Sequence, residues 1–195
     1  GRWVAGEGRC PGPAPAGIPA GPGPPGCADP STLAISGGDN YTGPAISTFF
    51  AGASMAEVLR RMGYVVSAFG NHEFDFGREQ FLRNREAAGL LYLGANVKAE
   101  EPMKLPSFLV FERRGARIAV VGIATDTTLT TAMASRFQGV QFLPEEPALD
   151  KAIREAWAAK PDAVVAVAHE CPDVLAPMLE RHPEWHLAFF GGAHC

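Results

Sequence analysis

The sequence predicts an α/β domain. Three observations predict it: from Ser31 onward apolar β-like runs alternate with amphipathic stretches, polar loops follow the ends of those runs, and 195 residues that are 47% hydrophobic and 19% charged carry ample material for a buried core. Thr32 to Ser36 is the first strand, ending at Gly37-Gly38-Asp39. A helix follows, announced by the capping-box spacing Ser54-x-x-Glu57, with Met55, Val58, Leu59 and Met62 on one face and Gly63 as its stop. Tyr64 to Phe69 is a buried strand that runs into Gly70-Asn71-His72-Glu73, and a helix from about Arg78 to Ala88 is closed by Gly89. Leu90 to Ala95 is another strand. Phe108 to Arg113 and Arg117 to Ala124 flank Arg114-Gly115-Ala116, a short connection containing glycine, which predicts an antiparallel hairpin. The next helix, from about Pro147, sets Leu149, Ile153, Ala156 and Trp157 on one side, with Glu145 and Glu146 at its positive end and Lys160 near its negative end. Ala163 to Ala168 is a buried strand ending at His169. A helix near Val174 to Glu180 and a last strand over Leu187 to Phe190 lead into Gly191-Gly192-Ala193-His194-Cys195.

Ahead of this domain, residues 1–30 hold eight of the 17 prolines and eight of the 22 glycines. That composition predicts a disordered arm over 1–30 and one folded domain over 31–195. A net charge of −4 with no run of lysines or arginines argues against a nucleic-acid polymer as partner and against a basic membrane-surface helix. The longest apolar runs fall far short of the roughly 20 residues that cross a bilayer, so no transmembrane segment is expected. Cys10, Cys27, Cys171 and Cys195 are too few and too scattered for a disulfide scaffold, and they leave the compartment open. Cys171 reads as an ordinary buried thiol rather than a soft metal ligand, and Cys10 and Cys27 pair with each other or with nothing. Trp157, Phe49, Phe50, Met55 and Met62 read as core, and His182 and His186, around Pro183 and Trp185, as exposed loop histidines.

Four of these strands end in polar side chains suited to metal or acid/base chemistry: Asp39, Asn71 with His72, His169, and His194. In an open α/β sheet such side chains meet beyond the carboxyl ends of the strands, so the four can share one site. Alone, Asp39 is a turn residue or helix cap, His169 a satisfied strand-end histidine and His194 a solvent-exposed one. Together, and beside an octapeptide at 70–77 that no ordinary turn requires, they point to function.

Gly37-Gly38-Asp39-Asn40-Tyr41-Thr42-Gly43-Pro44, Gly70-Asn71-His72-Glu73-Phe74-Asp75-Phe76-Gly77, Ala95-Asn96-Val97, His169 and Gly192-Ala193-His194-Cys195 resemble the calcineurin-like metallophosphoesterases, and among them the 5′-nucleotidase branch. The resemblance implies a four-layer α/β/β/α sandwich, here partial, with a dinuclear site of two divalent metals at strand ends. It makes Asp39 the carboxylate that bridges two cations only about 4 Å apart. Asn71, His169 and His194 complete the shell of the second metal, with oxygen and imidazole donors that suit manganese, zinc or iron. His72 matches the catalytic histidine and Asp75 its orienting carboxylate, although a carboxylate ahead of the helix at Arg78 is equally served by the helix dipole. Glu73 reads as structural, bonded to local backbone.

The resemblance also exposes two gaps. The family opens on a D-x-H strand end that supplies the first metal, and no D-x-H occurs in the sequence. Its last motif is G-H-x-H or a close variant, and two alignments are open: His194 as the first histidine of that pair, or Ala193 and Cys195 in place of both. The first keeps an imidazole beside His169. Under it one metal shell is complete and the other retains only Asp39, which reads as a truncated domain of a longer enzyme. The function implied is hydrolysis of a small phosphate ester, a nucleoside 5′-monophosphate first. A phosphodiesterase acting on a cyclic nucleotide or nucleotide sugar, or a catalytically impaired single-metal remnant, are the alternatives. Relatives with this pattern are commonly exported, implying periplasm or cell surface.

Overall fold

The structure, a computed structural model, describes residues 32–195. The Pro/Gly-rich stretch read as an arm, with Cys10 and Cys27, lies outside the described residues. Three strands, β1 (Ala34–Ser36), β2 (Tyr64–Ala68) and β3 (Leu91–Leu93), form a parallel sheet in that order. A second sheet is built from β5 (Phe108–Arg113), β6 (Ala116–Ala124), β8 (Ala163–His169) and β9 (Phe189–Gly192). There β5 and β6 are the expected antiparallel hairpin, and β6, β8 and β9 run parallel. Two short strands, β4 (Val97–Lys98) and β7 (Gln141–Phe142), pair antiparallel with each other. The helices are α1 (Ala45–Phe49), α2 (Ala53–Met62), α3 (Arg78–Ala88), α4 (Thr128–Thr131), α5 (Glu145–Ala158) and α6 (Pro172–Arg181).

The layers follow from which faces are apolar. Along β6, Ile118 and Val120 join the cluster between the sheets, while Ala119, Val121 and Ile123 join the cluster under α5 and α6. A strand buried on both faces reads as an unbroken apolar run, as 118–124 does. The inter-sheet cluster adds Val66, Leu93, Phe111 and Val167 from both sheets. On the far side of the first sheet, Leu59 of α2 and Phe81 of α3 pack with Phe69, Phe74 and Tyr92. Under the second sheet lie Leu149 and Ile153 of α5, Leu175 of α6 and Trp185. The order is helix, sheet, sheet, helix, the expected sandwich. The sheets approach closely at Gly122, where an added Cβ would sit 2.3 Å from that of Leu93.

Several local expectations are corrected. The capping box is not used: α2 starts at Ala53 after Gly52, Ser54 lies inside it, and Glu57 pairs with Arg60 and Arg61. The buried face of α2 is Ala56 and Leu59 with Met55 packed alongside, whereas Val58 and Met62 are largely exposed. Phe49 and Phe50 are not core either; Phe49 is 81% exposed, because the five-residue α1 is too short to bury a face of its own. Trp157 is half-buried and donates its indole N–H to the Trp185 carbonyl. Helix α5 begins two residues earlier than the sequence indicates, with Glu145 buried. Cys171 is no free thiol, since it forms a disulfide with Cys195 across a Cα separation of 5.3 Å. His182 is not a bare loop histidine: it stacks on Trp185, ring centroids 4.3 Å apart, and reaches Glu146 and Glu184.

Candidate metal and active site

The parallel strands β1, β2, β8 and β9 release their chains toward one edge, and the candidate residues stand there or on the loops that follow. Asp39 follows β1 with φ 56°, a left-handed conformation that aspartate tolerates better than most residues. Its Oδ1 accepts the His72 backbone N–H at 2.9 Å, which ties the loops after β1 and β2 together. Only glycine fits at position 70, because a Cβ there would stand 2.2 Å from Asp39 Oδ1. His169, at the end of β8, is buried and donates Nδ1–H to the Gly37 carbonyl at 2.8 Å. That bond fixes the ring so that Nε2 faces the site.

Around Nε2 of His169 the other three candidates gather. Asn71 Oδ1 is 2.9 Å away, His194 Nδ1 3.1 Å and Asp39 Oδ2 3.2 Å. The Asn71 amide is oriented by Thr131 of α4, whose hydroxyl accepts its N–H at 3.3 Å. His194 holds φ 105°, a strained conformation for a side-chain-bearing residue, and the disulfide at Cys195 anchors the same segment beside the loop after His169. A carboxylate oxygen, an amide oxygen and two imidazole nitrogens converging on one point are a donor set that fits one divalent ion. Burial alone would raise the Asp39 carboxyl, yet the hydrogen bond and charge of His169 and the His72 amide hold it below its ordinary value. Burial likewise opposes charge on His169, but Asp39 outweighs it and raises that imidazole.

Beside this cluster, His72 Nδ1 lies 2.8 Å from Asp75 Oδ2, leaving Nε2 for an open cleft of about 990 Å³. Its walls include Asp39, His72, Asp75, Phe76, Thr131, Met133 and Arg136. Asp75 stands two residues ahead of Gly77, which precedes α3, so the histidine rather than the helix end is its contact. Glu73 is buried, but its partners are not local backbone: it accepts from Asn40 N and Nδ2 and from the Tyr92 hydroxyl, each at 3.2 Å. Burial, and then the Asp39 charge, push its carboxyl up to about 8.

Sequence reasoning missed Asn40, Thr131 and Arg136. Asn40 carries a signal in its place beside Asp39, whereas Thr131 and Arg136 reach the site from a stretch about 60 residues beyond the octapeptide and carry none.

Residues 31–178 match the family described as bacterial capsule synthesis protein PGA_cap. The chain belongs to that family. Its fold is that of the calcineurin-like metallophosphoesterases: the calcineurin-like phosphoesterase YfkN of Bacillus subtilis superposes with a TM-score of 0.71 at 16% identity, over 85% of this chain and 59% of that one. A 5′-nucleotidase precursor from Thermus thermophilus superposes with a TM-score of 0.73 at 24% identity, over 83% of this chain and 32% of that one. In sequence, a 5′-nucleotidase of Vibrio cholerae serotype O1 is 32% identical over 142 residues, 71% of this chain and 26% of that protein. The UshA protein of Escherichia coli is 29% identical over 142 residues, again 71% of this chain and 26% of that one. The chain thus spans about a quarter of the length of the curated relatives it matches. The resemblance to the 5′-nucleotidase branch is borne out, and with it the four-layer fold.

Proposed function

We propose that the chain is a metal-dependent phosphate-ester hydrolase of the 5′-nucleotidase kind, acting on nucleoside monophosphates. The observation that carries the reading is the convergence of Asp39, Asn71, His169 and His194 beside the His72–Asp75 pair. Those four donors would hold one divalent cation, manganese, zinc or iron, and in a dinuclear site Asp39 would be shared with a second. A cation there supplies a Lewis acid that draws negative charge off the phosphate oxygens.

The chain's own groups do the rest. Asp75 accepts a hydrogen bond from His72 Nδ1–H and orients the ring, so that Nε2 faces the cleft. From there, as a water attacks phosphorus and the P–O ester bond breaks, His72 stabilises the charge on the phosphoryl group and delivers a proton to the departing ester oxygen, a contribution typically about 10²–10⁴-fold. Thr131 keeps the oxygen of Asn71, not its NH₂, turned to the cation site. Glu73, accepting from Asn40 and Tyr92, braces the loops after β1 and β2 against each other. The resemblance supports a periplasmic or cell-surface setting; among the described residues no helix is long and apolar enough to cross a membrane.

The test is a manganese titration of the purified chain, assayed on AMP and on bis-p-nitrophenyl phosphate. Manganese-dependent release of phosphate from AMP is expected. Turnover of the diester alone would replace this reading with a phosphodiesterase, and turnover of neither would make the chain a metal-binding remnant.

A further inference from the structure

The cleft beside His72 does not end at Phe76. Phe76 and Arg136 also line a second groove, of about 480 Å³, that runs along the start of α3 past Arg78 and Arg83. Arg136 donates Nη1–H to the Phe74 carbonyl at 2.9 Å, Arg78 donates Nε–H to the Arg136 carbonyl at 3.0 Å, and Arg78 Nη2 also donates to the Gln138 carbonyl. Arg78 lies over the Phe74 ring, 5.7 Å from its centroid. All of these partners are neutral. They hold both guanidiniums in place without cancelling their charge.

Arg113 and Arg117 also donate their guanidinium N–H groups to backbone carbonyls, but neither lines this groove or the cleft beside His72, and several other arginines are ion-paired. Arg60, Arg61, Arg154 and Arg181 each sit on a carboxylate, and Glu79 at the groove's edge faces Arg83 at 3.8 Å. Neither Arg78 nor Arg136 makes an ion pair among the described residues. In a chain of net charge −4, two guanidiniums held by neutral partners and without an ion pair among the described residues, beside the cleft that His72 faces, form a ready anion receptor.

We propose that Arg136 and Arg78 form an anion subsite for a second negatively charged group of the substrate. Beside the monophosphates, phosphate esters with a second anionic group, nucleoside diphosphates among them, are then held more tightly. Arg136, shared by both grooves, grips the second group while the scissile phosphate lies by His72. The assignment deepens the hydrolase reading and rests on it for the catalytic half.

Titration calorimetry on the EDTA-treated chain reads the subsite without turnover. Pyrophosphate is expected to bind about tenfold more tightly than orthophosphate, and Arg136→Gln to erase that advantage. Arg136→Lys keeps the charge but loses the planar fork, and is expected to fall between; it serves as the probe if urea unfolding shows Arg136→Gln to be unfolded. In the manganese-loaded chain, the ratio of KM for AMP to KM for ADP should drop about tenfold in the variant. Equal affinity for the two anions in the unaltered chain, or an advantage untouched by both substitutions, overturns the subsite. Calorimetry as expected with no ester hydrolysed overturns the hydrolase reading alone.

Discussion

His72 is the residue on which the chemistry turns. With Nδ1 held at 2.8 Å by Asp75, it can protonate a leaving oxygen but stands outside the four donors around the cation position. His72→Ala is therefore expected to lower kcat on AMP by about 10²–10⁴-fold while manganese affinity changes less than about twofold, read by steady-state kinetics and calorimetry on the same preparation. Loss of metal with loss of activity would place His72 in the metal shell instead. Asp39, Asn71, His72, His169 and His194 were legible as candidates because each stands where an apolar run stops, and a polar residue has no packing reason to be there. Thr131 and Arg136 were not legible, since their meaning depends on a distant segment folding back across the octapeptide, which no local pattern encodes.

Among the elements, those with long periodic or apolar stretches were readable. The helix α3, closed by Gly89, and the strands β6 and β8 lie where the pattern sets them, since each buries enough surface to dominate its own sequence. The two-residue strands β4 and β7 show no period, and α1 has too few residues to declare a face. The capping box failed because Gly52, in the left-handed conformation, already turns the chain into α2 ahead of Ser54. Helices α5 and α6 are tied by Glu146, which meets Arg181 at 2.8 Å and His182 at 2.9 Å. The Arg181 hydrogen bond, chiefly, lowers the Glu146 carboxyl from 4.5 to about 2. A lowered carboxylate stabilises the fold above its unfolded value and loses that contribution as pH falls through the folded one. The stability difference between the unaltered chain and Glu146→Gln, read by urea unfolding, should be present at about pH 6 and shrink steadily from 4.5 toward about 2. A difference that does not change over that interval would show that the ion pair contributes nothing.

At the scale of the whole molecule, two sheets pack face to face and deliver parallel strand ends from each to one edge, so residues as distant as Asp39 and His169 become neighbours. The sandwich was legible only through family resemblance, because strand patterning gives alternation but not which sheet a strand joins. The Cys171–Cys195 disulfide was unreadable for a related reason: both cysteines follow candidate ligands, yet only the parallel pairing of β8 and β9 brings them together. The account depends on one cation position shared by both sheets. Isothermal titration of manganese into the EDTA-treated chain, beside His169→Ala, tests it most directly. One equivalent is expected to bind the unaltered chain, with affinity weakened by about tenfold or more in the variant while both unfold at similar urea concentrations. Manganese binding that is unchanged by loss of the His169 imidazole would contradict it.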